Sequence, residues 1–474
     1  QAPAPGPNGQ FQGQVPAPGP NGQFQGQVPA PGEKKSRGKM AAIISVIVVA
    51  ILVVVGGGAF AISRLGGGGY KSPDALAEGI DSAFAKNSLV SLAGAASPEE
   101  LNAATAWQKD YKHNGGTDWS KLMDLKALKD YVDQIDIKKS EMEYTVDTKS
   151  DQVALITITK WEGDVEVKPE LADKIREHYK EAKGSDLTAN ESQAFDKMKQ
   201  EIQNNPVSSG NVLKNFPNNK LTLVSVKEDG KWYLSGYMTV AEQFLGTGSA
   251  QPNYSANFTD VKGASSPEEA VSGMVDALRN GGNIGSEDVY RYLDLPERRV
   301  AAVYGGGSSS SGYSASGMGG SGVQVTWGLS STKVSGGAIV NLGTTSITMG
   351  EYKVEFNGDS LTVSYPDIDT RTFRTTTKTM TTNYTEGLVN PESLGVFTVE
   401  DANGWHVSLV RTIGNLNLLA ASDDAVNQAI DGLWSATGSH DVDVSKDEMR
   451  DLALNNKPVG ALLVIGWNFA KNMK

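Results

Sequence analysis

The chain has no cysteine among its 474 residues and only four histidines. The lack of cysteine excludes disulfides, thiolate metal ligands, a cysteine nucleophile and a lipid-modified cysteine. Four histidines are too few for a histidine-rich metal site, and we expect no metal and no cofactor. Positive charge is also scarce, since the formal net charge is −12. Phosphate binding needs clustered Lys and Arg, so we expect no nucleic-acid partner.

The length indicates several domains, because one domain typically has roughly 100–200 residues. Hydrophobic residues make up 39% and charged residues 21% of the chain, which is typical of a globular majority. Residues 1–39 differ, being rich in Pro, Gly and Gln, with one 13-residue unit at 2–14 and again at 15–27. Such a segment cannot build a core. We predict a disordered tail, either a flexible spacer or a docking site for proline-recognising modules.

An apolar run at 40–62 follows four basic residues, and only Arg64 comes closely after it. A helix of this length spans roughly 30 Å, the thickness of a bilayer core. The positive-inside rule places the tail in the cytoplasm and the chain after a tether at 63–69 outside the cell, which makes the membrane itself a partner. The alternative is a signal peptide cleaved near Ala61, which gives a secreted protein. The residues after 64 carry 38 basic and 54 acidic side chains, so this part is strongly acidic.

Internal repeats organise the rest of the chain. Ser72-Pro73 and Ser266-Pro267 each begin a helical pattern, with Ser as the N-cap and Pro in the first turn. A third pattern begins at Asp423, and 286–295 aligns without gaps to 445–454. Two successive helices that agree in order and spacing indicate a repeated module.

The later part of each of the first two copies is predicted as an antiparallel sheet. It ends in a turn followed by a Trp-containing strand, at 231–235 and at 404–408. The other predicted strands are 152–160 and 221–226 in the first copy, and 323–329, 352–356 and 360–365 in the second. The insertions differ: 171–203 is a polar helical stretch, whereas 305–322 is a Gly/Ser-rich loop.

We therefore predict an α+β protein in which one N-terminal transmembrane helix precedes tandem helix-then-sheet modules. The predicted divisions are a first module at 70–250, a linker at 251–262, a second module at 263–419 and an incomplete third module at 420–474. The third copy has helices at 422–435 and 445–455 and an apolar strand at 459–467. Because these elements lack a sheet, we expect the chain to continue past Lys474. In this fragment they should be loosely attached or docked on the second module.

This plan resembles the nuclear-transport-factor-two-like superfamily, in the form found outside the membrane in anchored actinobacterial proteins. The matching residues are the Ser-Pro-Glu-Glu-Ala-Val helix start at 266–271 and the two Trp strands. The resemblance implies a curved antiparallel sheet that wraps helices around a cone-shaped pocket. Members include isomerases, dehydratases and non-catalytic binding or assembly domains, so the fold does not select the function.

Six residues are candidates for a pocket. In superfamily isomerases, a carboxylate base works with Tyr or acid donors in an apolar cavity, and similar groups occur here. The six are Tyr290, Tyr292, Asp294, Trp405, His406 and Trp232. The simpler interpretation places the tyrosines in the core, because their helix needs a buried face, and His406 at the surface or the core edge. We therefore assign no catalytic residue.

Other apparent motifs have structural explanations. Ser330–Lys333 has the Ser-x-x-Lys form of penicillin-interacting enzymes, but it lies between strands and no Lys-Thr-Gly accompanies it. The alternating acids at 441–447 lack the Gly and Glu of a calcium loop. Ser445 and Glu448 instead predict a capping box. The tryptophans at 107, 119, 161 and 327 are predicted in the core or in a pocket wall.

Two functions follow from this sequence. The first is a non-catalytic envelope protein whose modules bind a ligand, polymer or protein partner outside the cell. The second is an extracytoplasmic pocket enzyme of the isomerase or dehydratase type, or an accessory factor of cell-wall synthesis. A buried carboxylate paired with Tyr or His inside one cone would favour the enzyme. A pocket filled by Trp and aliphatic side chains would favour binding.

Protease treatment of intact cells tests the topology. Protease should remove the residues beyond 70 and spare the Pro-rich tail, because the bilayer protects the cytoplasmic side. Immunoblots against tags at either end would show the protected fragment. Release of a soluble product that begins near Ile62 would instead support the signal peptide.

Overall fold

A computed structural model gives the fold of most of the chain after the predicted anchor. The described residues are 68–88, 92, 94–103, 121, 125–204, 207–211, 213, 216–246, 251–306, 323–369, 371, 374–416, 418–437 and 445–471. The predicted tail, the membrane span at 40–62 and nearly all of the Gly/Ser-rich loop lie outside these residues, as do Trp107 and Trp119.

The first part of the described chain combines helices with one antiparallel sheet. Its helices are α1 (Pro73–Ala85), α2 (Leu125–Val132), α3 (Glu170–Lys183), α4 (Ala189–Asn204) and α5 (Gly236–Leu245), with a further helical segment at 98–103. Its strands are β1 (Ile135–Thr148), β2 (Val153–Val167), β3 (Val207–Asn211), β4 (Leu221–Glu228) and β5 (Lys231–Ser235). The order across the sheet is β1-β2-β4-β5, and β3 also pairs with β2.

Local chemistry explains these elements. Ser72 caps α1 by accepting a hydrogen bond from the Ala75 N–H, which confirms the predicted helix start. Leu76, Ile80 and Phe84 form the buried face of α1. The β4–β5 turn contains a non-glycine residue with positive φ, Asp229 at 48°, followed by Gly230 at 77°. Asp-Gly suits such a tight hairpin because both residues tolerate the left-handed conformation.

The second part has three helices before its sheets and one after them. These are α6 (Pro267–Arg279), α7 (Glu287–Tyr290), α8 (Leu295–Tyr304) and α9 (Leu409–Leu416). The strands are β6 (Val323–Thr326), β7 (Ser330–Val334), β8 (Gly337–Asn341), β9 (Ser346–Met349), β10 (Tyr352–Asn357), β11 (Ser360–Asp369), β12 (Arg374–Asn383), β13 (Val396–Asp401) and β14 (Gly404–Val407). They form one sheet in the order β7-β8-β13-β14 and another in the order β6-β9-β10-β11-β12. The expected α+β class is confirmed.

The sheets β1-β2-β4-β5 and β7-β8-β13-β14 have the same order, and each receives its insertion between its second and third strands. The insertion is α3, α4 and β3 in the first case, and β9 to β12 in the second. Matching bridges also tie each Trp strand to the start of its helices. The antiparallel bridges are Tyr70–Trp232 and Ala264–Trp405, and the parallel bridges are Ala96–Leu234 and Leu293–Val407.

The C-terminal segment forms three helices, α10 (Asp423–Thr437), α11 (Lys446–Asn455) and α12 (Lys457–Ala470). The capping box of Ser445 and Glu448 is confirmed, since both of its hydrogen bonds are present. The predicted strand at 459–467 was wrong, because this run lies in α12. The Asn456 side chain caps that helix by accepting from the Val459 N–H, and Pro458 occupies its first turn.

The helix α12 docks on the end of β12, in line with the expectation that this segment docks on the second module. The Thr382 hydroxyl donates to the Asn468 carbonyl at 2.6 Å, and the Asn468 amide donates to the Glu386 carbonyl at 2.8 Å. The segments 286–295 and 445–454 align without gaps in sequence, but their structures differ. The helix α7 ends at Tyr290, and the chain then bridges Val407, whereas α11 continues to Asn455.

A buried cluster joins the first sheet to the helices of the second part. Val153 and Val224 of the sheet belong to it together with Leu293 and Ala301. The predicted linker at 251–262 enters the same cluster through Phe258, which is 1% exposed. This contact also contains an ion pair. The Arg299 guanidinium donates to the Glu228 carboxylate at 2.6 Å. The two side chains are 1% and 7% exposed.

Arg299→Met tests this contact. The change leaves the Glu228 carboxylate buried without its cation, so we expect a loss of about 3–5 kcal/mol in the free energy of unfolding. Arg176→Met is the matched control, because Arg176 forms a solvent-exposed pair with Asp196 at 3.0 Å and should cost at most about 1 kcal/mol. Urea denaturation of the detergent-solubilised chain measures both. Equal small losses would contradict the assigned role of Arg299.

Candidate functional site

An apolar cavity of about 340 Å³ lies in the first module, between α1, the sheet and α5. Small-molecule sites typically measure roughly 300–1,000 Å³ and are lined mainly by apolar side chains. Phe84 of α1 and Trp161 of β2 form part of the wall, with their rings edge to face at a centroid distance of 4.6 Å. Leu223 and Phe244 are also among the lining residues. The predicted position of Trp161, in the core or in a pocket wall, is confirmed.

The polar groups at this cavity are already engaged. The Thr239 hydroxyl accepts from the Val224 N–H at 2.9 Å. The Gln243 amide donates to the Thr222 carbonyl at 2.9 Å, and the Trp161 indole N–H donates to the Ser140 hydroxyl at 3.1 Å. Among the described residues that line the cavity, none carries an ionisable side chain. The cavity therefore offers apolar contact and no acid–base group.

A second cavity, of about 710 Å³, lies on the other side of α5 and faces the second part of the chain. Its walls include Glu100, Tyr237 of α5, Val300 of α8 and Val410 of α9. Val240 and Phe244 border both this cavity and the first. The helix α5 thus separates two largely apolar spaces.

The buried carboxylate of Glu100 caps α5. It accepts hydrogen bonds from the Ser235 hydroxyl and from the N–H groups of Gly236 and Tyr237, at 2.7 and 3.2 Å for the two N–H groups. Burial raises the pKa of Glu100, whereas the Ser235 hydrogen bond lowers it. Because its oxygens bind the first turn of a helix, this carboxylate has a structural role.

Glu297 occupies the equivalent place in the second module. Its carboxylate accepts from the Ser408 hydroxyl at 3.3 Å and from the Val410 N–H at 2.9 Å. Burial and the nearby Asp294 carboxylate raise the pKa of Glu297 to about 7. Within the part of the chain that the structure describes, its second oxygen has no hydrogen-bond partner, and neither has one oxygen of Asp294.

The structure places Tyr290, Tyr292 and Asp294 in the packing between helices and strands. The buried Tyr290 hydroxyl donates to the Asn257 carbonyl at 3.2 Å. A Cβ on Gly273 would come within 2.5 Å of the Tyr292 ring, so glycine is needed there for this close approach. Asp294 caps α8 by accepting from the Leu295 N–H at 2.8 Å.

His406 is fully buried, so neither the predicted surface position nor the core-edge position was right. Its Nδ1 lies 2.9 Å from the Arg291 carbonyl and its Nε2 lies 3.1 Å from the Asp401 carboxylate. Burial raises the pKa of Asp401, but the hydrogen bond and charge of His406 outweigh it and lower the pKa to about 2. Through the contacts of its two ring nitrogens, His406 connects the β13–β14 turn to the segment that follows α7.

Trp232 is buried, and Trp405 is half-buried beside α6. None of the six candidate residues lines either cavity. Three lining residues were not predicted from the sequence: Leu92, Phe216 and Phe244. The available signal was the apolar character of 236–245 directly after a Trp strand, which makes that helix apolar on more than one side.

Within the described residues, no three His, Asp or Glu side chains gather closely enough to hold a metal ion. In the same part of the chain, no helix has both the length and the apolar character needed to cross a bilayer. No family model matches the chain, and no curated protein or solved structure is significantly similar to it.

Glu297→Gln tests the strain at the second capping carboxylate. The native carboxyl keeps its proton up to pH about 7, whereas the unfolded one loses it near pH 4.3. Wild-type stability should therefore fall as the pH rises from 4.3 to 7, by on the order of 3 kcal/mol. Glutamine cannot ionise and keeps an acceptor for Val410, so the variant should be the more stable at pH 8 and gain little at pH 4.

Thermal unfolding of the detergent-solubilised chain at both pH values measures this difference. Glu287→Gln serves as the control, because Glu287 is exposed on α7. If Glu297→Gln gains no more stability at pH 8 than this control, the folded state does not disfavour the charged form of Glu297, which contradicts the prediction.

Proposed function

We propose that this chain is a membrane-anchored cell-envelope protein that presents tandem non-catalytic binding or assembly modules outside the cell. In the first module, the cavity beside Trp161 binds an apolar ligand or the apolar part of a larger one. The observation that carries the proposal is the lining of this cavity, which is aromatic and aliphatic apart from Thr239 and Gln243. Burial of apolar ligand surface contributes about 25 cal/mol per Å², so such a wall binds without directed polar contacts.

The membrane anchor rests on the apolar run at 40–62 and on the basic residues that precede it. The proposal of cone-like modules of the nuclear-transport-factor-two-like type rests on the short motifs of the sequence. Two features support it: α1 packs on a four-strand antiparallel path, and the same strand order recurs in the second module.

The enzyme alternative requires a buried carboxylate next to Tyr or His inside one cone. The first cavity is instead bordered by Trp161 and aliphatic side chains. Glu100 borders the second cavity, but its oxygens bind the start of α5, and Glu297 repeats the same contact. A carboxylate used in this way in both modules is explained by capping, which supports the binding function over catalysis.

A cavity-filling variant tests the ligand site. Leu223→Trp places an indole in the cavity and should weaken binding of the neutral apolar dye N-phenyl-1-naphthylamine about tenfold or more, since an occupied volume excludes the dye. Titration of the detergent-free chain in nanodiscs, with the dye emission of protein-free nanodiscs of the same lipid subtracted, gives the dissociation constant.

Leu452→Trp is the matched control, because Leu452 is 55% exposed on α11 and lines neither cavity. It should bind the dye as the wild type does. Equal binding by all three proteins would place the dye elsewhere and remove the support for a ligand in the first module.

A further inference from the structure

Two helices expose apolar side chains at related positions. The helix α5 follows the Trp strand of the first module, and α9 follows that of the second. Val240 and Ile413 each lie five residues after the serine that directly precedes the helix, and they are 47% and 62% exposed. We call the exposed residues of both helices the α5–α9 face: Val240, Phe244, Leu245, Leu409, Ile413 and Leu416.

Both helices of the face border the second cavity. Val240 and Phe244 border that cavity from α5, and Val410 borders it from α9. Ile413 lies one helical turn after Val410 and so shares its side of α9. Phe244, at 78% exposed, is the most exposed large apolar residue of the described chain. Exposed apolar patches of this kind mark sites of protein or membrane contact.

The face also lacks charge from its own helices. The acidic residue of α5, Glu242, accepts hydrogen bonds from the Tyr254 and Tyr304 hydroxyls at 2.6 and 2.8 Å, on the side packed against the second module. The basic residue of α9, Arg411, is buried and donates to the Gly336 carbonyl at 3.1 Å. A face that turns its charged groups inward is suited to the hydrocarbon border of a membrane.

The predicted tether limits how far the first module can lie from a bilayer. Only residues 63–67 separate the apolar run from Gly68, and six residue steps extend at most about 20 Å. The Gly69 N–H donates to the Gly94 carbonyl at 2.9 Å. Gly94 lies between Leu92, which lines the first cavity, and Ala96, which lines the second. The chain thus enters the module beside the cavities that α5 borders.

We propose that the α5–α9 face contacts the outer leaflet of the bilayer that holds the anchor. This inference rests on the anchoring in the proposed function. The contact is made by insertion of apolar side chains, with Phe244 deepest. The acidic excess of the chain after residue 64 disfavours an anionic leaflet, so the expected surface is a zwitterionic one. In this arrangement, both apolar cavities lie near the acyl chains of the bilayer lipids.

Single-cysteine variants test the contact, because the native chain has no cysteine to interfere. Phe244→Cys, Ile413→Cys and the control Leu452→Cys are each labelled with a nitrobenzoxadiazole fluorophore. The full chain is reconstituted in phosphatidylcholine vesicles with and without nitroxide-labelled phosphatidylcholine. Emission at 244 and 413 should fall by about half or more with the quencher, since inserted side chains reach roughly 5–10 Å into the interface. Emission at 452 should stay unchanged.

A fourth variant, Ile51→Cys in the apolar run, separates the two proposals. Quenching at 51 without quenching at 244 or 413 would overturn the contact and leave the anchor intact. No quenching at 51 would overturn the anchor itself. A disulfide-linked dimer of the unlabelled Phe244→Cys protein, with no lipid quenching at 413, would assign the face to a second copy of the chain and also overturn the proposal.

Discussion

A capping carboxylate lies at the junction of three elements in each of the two parts of the described chain. Glu100 and Glu297 both accept from the serine that ends a Trp strand and from an N–H group of the helix that follows. The free N–H groups of a helix start and its dipole favour a negative charge there. Burial of that charge is costly without such donors. In each part of the chain, this polar contact therefore joins the segment that carries the glutamate to the Trp strand and to the helix that follows that strand.

The position of α5 and α9 follows from this contact. Each helix is fixed at its first turn, and a threonine one turn further on binds back to the sheet. Thr239 accepts from the Val224 N–H, and Thr412 accepts from the Phe397 N–H, both at 2.9 Å. In α5, Thr239, Glu242 and Gln243 are all hydrogen-bonded within the protein, and the other side chains of this helix are mainly apolar. That is why α5 borders two apolar cavities and still exposes Phe244.

Much of the local structure could be predicted from the sequence, because its signals lie within a few residues of one another. The caps at Ser72 and Ser266 and the capping box at Ser445 are of this kind. The apolar run of α12 fits a strand and a buried helix equally well, and its cap at Asn456 decided the outcome. The cavities could not be predicted, because Ile80, Trp161 and Phe244 are brought together only by the fold.

The two modules form one surface because their junction is buried. Phe258 and Leu293 pack on the first sheet, and the Arg299–Glu228 ion pair lies inside the same contact. A buried ion pair adds little net stability. An arrangement that leaves one of its two charges buried without the other is strongly disfavoured. This penalty favours the observed packing of α8 against the first sheet. The second cavity lies at this junction, with walls from α5, α8 and α9.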